Sequence, residues 1–133
     1  MAIDYGDKRT GLAICDSGET IVSPLAVIEG QKDLLKRIAE VIETEHVEAV
    51  VLGLPLNMDD SQGPQSQRVL NFADLLKACI NIPIHFQDER LSTFGAEEKL
   101  AAADFTRGKK KKRIDAVAAA QILETFLQGK RPE

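Results

Sequence analysis

Residues 49–54 (AVVLGL) form an almost uninterrupted apolar run. A run of this kind is typical of a strand that is covered on both faces, as in the parallel sheets of α/β proteins. An amphipathic helical pattern precedes it over residues 32–45, and a second helical pattern, with proline suited to the first turn, follows over residues 64–79. The two helices are therefore predicted to connect strands of one sheet.

The remaining segments complete a mixed sheet. Three short apolar runs at 1–5, 10–15 and 19–28, separated by turn residues and interrupted near Pro24, predict an antiparallel meander. Another strand is predicted at 83–87 and helices at 93–103 and 114–127, with the basic segment between those helices as a loop. The order β-β-β-α-β-α-β-α predicts an α/β fold, a mixed five-stranded sheet with helices on both faces, in a single domain spanning residues 1–133.

Basic residues are concentrated in one part of an otherwise acidic chain. Residues 107–113 (RGKKKKR) include six Lys or Arg, whereas the whole chain has a net charge of −4. Without those six, 11 basic residues remain against 21 acidic ones, a net charge of −10. An acidic body would repel a polyanion and this segment would hold its phosphates, although a solvated loop without a ligand is the alternative. The predicted nucleic-acid contacts are Lys109, Lys110, Lys111, Lys112 and Arg113.

Composition excludes several other classes. The only two cysteines, Cys15 and Cys79, form neither a disulfide framework nor a zinc spacing, which indicates a reducing cytoplasm. No stretch is long and apolar enough to span a bilayer, and the first residues lack the order of a secretion signal, so we expect no membrane partner. Five Phe, one Tyr and no Trp are too few aromatic residues for binding single strands by base stacking.

Asp4 lies inside the first predicted strand, with Ile3 and Tyr5 pointing to the opposite face. A carboxylate buried in a central strand is costly unless a positive charge compensates it. The alternative is an aspartate near the strand end that accepts hydrogen bonds from the following turn. Asp4 is therefore a candidate metal ligand.

Asp115 falls on the apolar face of the last predicted helix, where Ala118, Ile122 and Phe126 follow it at helical spacing. A solvated aspartate in the first turn, favoured by the helix dipole, is the alternative. The small residues of 116–120 (AVAAA) would let the helix lie close to the sheet. Close approach would bring Asp115 toward the central strand.

A third acid follows the fifth predicted strand, in the sequence Asp88-Glu89-Arg90. Alternation puts Asp88 and Glu89 on opposite faces, and we favour Glu89, which has the longer reach. An exposed, salt-bridged corner is the alternative. Three carboxylates at one end of a sheet form an all-oxygen site suited to Mg²⁺ or Mn²⁺, which can activate water for phosphodiester hydrolysis. His46 and His85 are interpreted as packing or surface histidines.

Four segments resemble, in the same order, a bacterial family called YqgF or RuvX. They are residues 1–16 (MAIDYGDKRTGLAICD), 51–64 (VLGLPLNMDDSQGP), 86–93 (FQDERLST) and 113–123 (RIDAVAAAQIL). The resemblance implies an RNase H-like, three-layer fold and a nuclease that acts in pre-16S rRNA 5′-end processing or resolves Holliday junctions.

The resemblance also implies roles for particular residues. Asp4, Glu89 and Asp115 would be the catalytic, metal-binding acids. Lys8 and Arg9, in the turn after Asp4, would approach a phosphate, with Arg90 as a further nucleic-acid contact. Participation of Asp88, Asn57 or Asp59 stays open, as does the number of metal ions.

We favour rRNA processing and keep junction resolution as the alternative, since a resolvase cuts two strands symmetrically and is expected to be a dimer. The chain itself does not distinguish a monomer from a homodimer. Two other classes compete with a nuclease. Asp4-x-Gly6 followed by Gly11 is similar to the opening of sugar kinases and actin-like ATPases, which need a second domain. A non-catalytic nucleic-acid-binding module would leave Asp115 on an apolar helical face without a purpose.

Overall fold

The computed structural model describes residues 1–56, 63–88 and 107–130, with the side chains of the last helix described over 115–129. The strands are β1 (Ala2–Asp4), β2 (Arg9–Cys15), β3 (Val22–Glu29), β4 (Val50–Leu54) and β5 (Ile84–Asp88). The described helices are α1 (Leu34–Thr44), α2 (Pro64–Cys79) and α3 (Arg107–Lys130).

The five strands form one sheet in the order β3-β2-β1-β4-β5. The first three strands pair antiparallel, as the meander predicts, whereas β4 runs parallel to both β1 and β5. The short strand β1 therefore lies at the centre of the sheet. This mixed arrangement confirms the predicted α/β class.

One face of the sheet packs on α1 and α2. Ile3, Leu12 and Leu52 are fully buried there together with Ile38 of α1 and Leu76 of α2. Burying a side chain of this size contributes roughly 1.5–3 kcal/mol. The apolar stripes predicted for both helices thus form the larger part of the core.

The opposite face packs on α3. Ala2 and Val51 form a buried cluster with Ile122, Leu123 and Leu127 of this helix. A small cluster of alanines continues the contact over β2, where Ala13 meets Ala119 and Ala120. Ile3 and its neighbour Ala2 therefore pack in different layers, and β4 is covered on both faces as its apolar run predicts.

Two predicted boundaries need correction. The basic segment, predicted as a loop, has the backbone of the first two turns of α3, so the helix begins at Arg107 rather than near residue 114. Lys and Arg are good helix formers, and a polar run does not by itself distinguish a loop from an exposed helix. The third strand begins at Val22 instead of residue 19 because the Asp16 carboxylate accepts hydrogen bonds from the backbone of Thr20 and Ile21, which makes this stretch a turn.

Other details follow from sequence chemistry. Pro24 pairs with Ala13 where the register of β2 and β3 shifts, on an edge strand that tolerates a missing N–H. Cys15 and Cys79 are not joined in a disulfide. Among the described residues, no helix is long and apolar enough to cross a membrane. The helix predicted at residues 93–103 lies outside the described part of the chain.

Candidate active site

Asp4 occupies the last position of the central strand and faces α3. It pairs directly with Gly11 of β2, and opposite residues in an antiparallel pair present their side chains to the same face. Continuing the β1–β4 register by one residue sets Gly53 on its other side. The positions directly beside Asp4 on both neighbouring strands are therefore glycines, and Asp4 itself is half-buried.

The backbone of α3 lies in close contact with the sheet at this level. A methyl group built on Gly11 would overlap the carbonyl group of Asp115 and lie 3.1 Å from the nitrogen of Ala116. Only glycine permits such an approach without displacement of the helix. The close contact that the AVAAA segment predicts is thus present, and it brings Asp115 to the face and level of Asp4.

Arg9 is the cation of this site. Its Nε donates a hydrogen bond to Oδ2 of Asp115 at 2.9 Å, with about a quarter of each side chain exposed (29% and 27%). Burial raises the pKa of the Asp115 carboxyl, and the hydrogen bond and charge of Arg9 partly oppose that rise. Lys8, one residue earlier in the turn after Asp4, is exposed.

The last strand contributes a glutamine to the same face. Gln87 pairs with Gly53, so it continues the line of positions that runs through Gly11 and Asp4 across the sheet. Asp88 pairs with Leu54, which packs in the α1–α2 layer, and therefore lies on the face opposite to Asp4. Sequence reasoning did not single out Gln87, because a polar residue near a strand end has no distinctive signal.

Several predicted site residues cannot be compared with this geometry. Glu89, Arg90, Asn57 and Asp59 lie outside the described residues, and so do the side chains of Lys109 to Arg113, whose backbone is helical. Their roles stay predictions. The described structure brings together Asp4, Arg9 and Asp115, three of the residues predicted from the sequence.

The chemistry of the described donors fits a hard cation. Asp4 and Asp115 offer carboxylate oxygens, and a carboxylate has about four lone-pair positions, so one bond from Arg9 leaves Asp115 free to accept more. Within ranges 1–56, 63–88 and 115–129, no group of three or more His, Cys, Asp or Glu side chains could hold an ion. His85 packs against Phe126 with ring centroids 5.3 Å apart, which supports the packing role predicted for it.

Comparison with solved structures defines the class of fold. The T. thermophilus RuvC in complex with a Holliday junction substrate is similar with a TM-score of 0.60 and 17% identity, over 96% of this chain and 92% of that one. Fowlpox virus resolvase, in complex with Holliday junction DNA, gives a TM-score of 0.57 and 12% identity over 98% and 97%. The protein thus has the RNase H-like fold of these resolvases.

Sequence comparison then identifies the family. The family model described as "RuvX: Holliday junction resolvase" matches residues 1–129, and this chain belongs to that family. A relative from Caldanaerobacter subterraneus subsp. tengcongensis is 40% identical over 98% of this chain and 96% of its own. Another from Desulforamulus reducens is 42% identical over 97% and 96%. Both carry the name "putative pre-16S rRNA nuclease".

Proposed function

We propose that this protein is a metal-dependent nuclease that hydrolyses phosphodiester bonds in the precursor of 16S rRNA. The observation that carries the proposal is that the central strand ends in Asp4, opposite Gly11, where the backbone of Asp115 approaches the sheet and Arg9 bonds the Asp115 carboxylate. Two acids and one guanidinium at the end of a sheet form a site for a cation and a phosphate. The names of full-length relatives at about 40% identity support the choice of rRNA.

Each residue has a distinct task in this proposal. Asp4 and Asp115, with Glu89 as the third acid, hold one or more Mg²⁺ or Mn²⁺ ions. A bound divalent ion would lower the pKa of a water molecule and stabilise the leaving oxygen. Arg9 keeps the Asp115 carboxylate oriented and presents its remaining N–H donors toward a phosphate, for which its planar fork is suited.

The remaining cations bind the substrate. Lys8 projects from the turn next to Asp4 and supplies a point charge for a flanking phosphate. Residues 107–113 form the first two turns of α3 and end two residues before Asp115, so the positive end of the helix dipole adds to their charge. Arg90 would extend the phosphate-binding surface. Such an enzyme, whose two cysteines form no disulfide, would work in the cytoplasm.

Holliday-junction resolution is the second candidate. The family description and the two junction-bound structural neighbours favour it. A junction has two equivalent strands to cut, so this activity requires a symmetric dimer, whereas trimming of one rRNA end does not. A monomer in solution would therefore argue against junction resolution before any cleavage is measured, whereas a dimer is compatible with both candidates.

A panel of substrates tests the proposal directly. Purified protein with Mn²⁺ or Mg²⁺ is incubated with three labelled substrates: an RNA spanning the 5′ end of 16S rRNA and its precursor, a scrambled RNA of equal length, and a four-way DNA junction. The proposal predicts cleavage of the first RNA near the mature end, no cleavage with EDTA, and little cleavage of the scrambled RNA. Symmetric cutting of the junction alone would favour the second candidate, and no cleavage of any substrate would refute both.

A further inference from the structure

The turn at residues 5–8, which joins β1 to β2 and carries Lys8, is held by a glutamine from another part of the chain. Nε2 of Gln31, in the segment before α1, donates hydrogen bonds to the carbonyl oxygens of Gly6 at 2.9 Å and Asp7 at 3.0 Å. The backbone N–H of Gly30 donates to the carbonyl of Lys8 at 2.8 Å. Three consecutive carbonyls of the turn are thus fixed from one neighbouring segment.

Gln31 is itself oriented from the core. The hydroxyl of Tyr5 donates to Oε1 of Gln31 at 3.1 Å. The ring of Tyr5 stacks on Phe72 of α2, with centroids 4.3 Å apart and an angle of 14° between the ring planes. Phe72 is only 4% exposed, so this stack anchors the glutamine to the rigid layer formed by α1 and α2.

The backbone of the turn has little conformational freedom, so it could not easily compensate for the loss of these bonds. A side chain on Gly6 would overlap the carbonyl oxygen of Arg9, so the turn folds back tightly on the start of β2. Arg68 of α2 contacts Asp7 at 2.8 Å, but both of these side chains are more than half exposed, and such a pair contributes little. The amide of Gln31 is therefore the side chain best placed to set the conformation of the turn.

We infer that Gln31 is a positioning residue of the nucleolytic site, one that acts through the turn to hold Lys8 and Arg9 against the phosphate. The part of this inference that concerns cleavage rests on the proposed function. Gln31 lies in the opposite layer from α3, and its described bonds reach the turn and Tyr5 rather than Asp4 or Asp115. Since a displacement of about 1 Å can reduce a reaction rate about 100-fold, loss of the two donated bonds is expected to lower turnover.

Two variants separate positioning from general stability. Gln31→Glu keeps the length of the side chain and the acceptor for Tyr5 but cannot donate to the carbonyls of Gly6 and Asp7. Gln31→Met removes the hydrogen bonds of the side chain to Tyr5, Gly6 and Asp7. Gln31 is exposed, so both variants are expected to fold with nearly unchanged melting temperature. The matched control is Gln67→Met, which removes an exposed glutamine whose amide donates to Asn71 within α2.

The expected result is a fall in kcat on the precursor RNA of about 10-fold or more for both Gln31 variants, with the Mn²⁺ concentration for half-activation within about twofold of wild type. Amide hydrogen exchange at residues 6–9 should accelerate, while exchange in β4 and α3 stays unchanged. In a variant that already carries Lys8→Ala and Arg9→Ala, adding Gln31→Met should lower kcat by less than about a further twofold. The effects of residues that act through one another are not additive.

Both the kcat measurements and hydrogen exchange test the inference. Unchanged kcat in both Gln31 variants, or a full additional loss in the Lys8 and Arg9 background, would overturn it. If wild type cleaves no RNA, the proposed function fails, and hydrogen exchange then decides the positioning role by itself. Unchanged exchange at residues 6–9 would overturn that role as well, whereas faster exchange confined to the turn would support it.

Discussion

Arg9 Nε lies 2.9 Å from Oδ2 of Asp115, although the two residues are 106 positions apart in the chain. The bond joins the first residue of β2 to the face of α3 that packs on the sheet. It orients the helix carboxylate beside the strand that ends in Asp4. The site therefore depends on a contact between two distant segments.

Loss of Arg9 should change the titration of Asp115. Burial already raises the pKa of this carboxyl, and the hydrogen bond and charge of Arg9 oppose the rise. In Arg9→Met the opposing influences disappear, so we expect the pKa of Asp115 to rise further. Carbon-detected NMR titration of the protein in EDTA measures it.

The control for that titration is Arg68→Met, which removes an exposed arginine bonded to Asp7 in the β1–β2 turn. It should leave the titration of Asp115 as in wild type. A pKa of Asp115 that falls or stays constant in Arg9→Met would contradict the pairing seen in the structure.

Gly11 sets how closely α3 approaches the central strands. In Gly11→Ala the new methyl group would overlap the carbonyl of Asp115, so the helix must move outward. Overpacking of this kind costs about 1–3 kcal/mol of unfolding free energy, and it should also reduce cleavage by displacing Asp115. Urea denaturation and a cleavage assay measure the two effects.

Gly129→Ala is the matched control for Gly11→Ala. A methyl group there would meet no atom within 4 Å, near the end of the same helix. Alanine is favoured over glycine in a helix by up to about 1 kcal/mol, so this variant should be as stable as wild type or more stable. Equal stability of both variants would show that α3 does not rest on Gly11.

The raised pKa of Asp115 also predicts a trade-off between stability and activity. When the pKa of a carboxyl is higher in the folded state than its ordinary value of 3.8, the folded state binds the proton more tightly. The protein therefore loses stability as pH rises from 3.8 to the raised pKa. Asp115→Asn should therefore be more stable than wild type at neutral pH in EDTA, and inactive. This advantage should shrink as pH falls from the raised pKa toward 3.8 and be absent below 3.8.

Urea denaturation between about pH 3 and about pH 7 measures that difference. Glu124→Gln, an exposed acid on the same helix, is the control and should show no comparable pH-dependent gain. A wild type that is more stable than Asp115→Asn at neutral pH would contradict the burial of an incompletely compensated carboxylate.

Much of this molecule follows from local patterns. Continuous apolar sequence in β4 and the apolar stripes of α1 and α2 predicted the layers, and small residues after Asp115 predicted a close approach of the last helix. Which glycine accepts that approach could not be predicted, because it depends on the register of β1 and β2. The bonds of Gln31 to the turn likewise join segments whose proximity only the folded chain creates.

The start of α3 was predicted wrongly for a different reason. Lys and Arg favour helices in isolation but are also common in loops, so a run of them does not by itself predict which of the two forms. Strand alternation allowed only one of Asp88 and Glu89 to share the face of Asp4, and Glu89 was preferred for its longer reach. The register of β5 agrees that Asp88 faces away from Asp4, and the role of Glu89 stays a prediction.

The basic segment is expected to control affinity rather than chemistry. Replacing Lys109 to Lys112 by glutamine keeps helix-forming residues while removing four charges. Binding to single-stranded RNA should weaken, and the slope of log K against log salt should flatten by about 0.7 for each phosphate that the protein no longer neutralises. Removing Lys32, Lys36 and Lys77, which are exposed on or next to α1 and α2, is the control and should change the slope little.

The role of Asp4 is tested most directly by single-turnover cleavage of precursor 16S rRNA by Asp4→Asn with saturating Mn²⁺, alongside a binding measurement on the same RNA. Asp74→Asn, an exposed acid on α2, is the matched control. The expected result is cleavage reduced by about 100-fold or more, the scale seen when a metal or catalytic group is removed, with RNA affinity kept within a few fold. Cleavage by Asp4→Asn at the rate of wild type and of Asp74→Asn would contradict it.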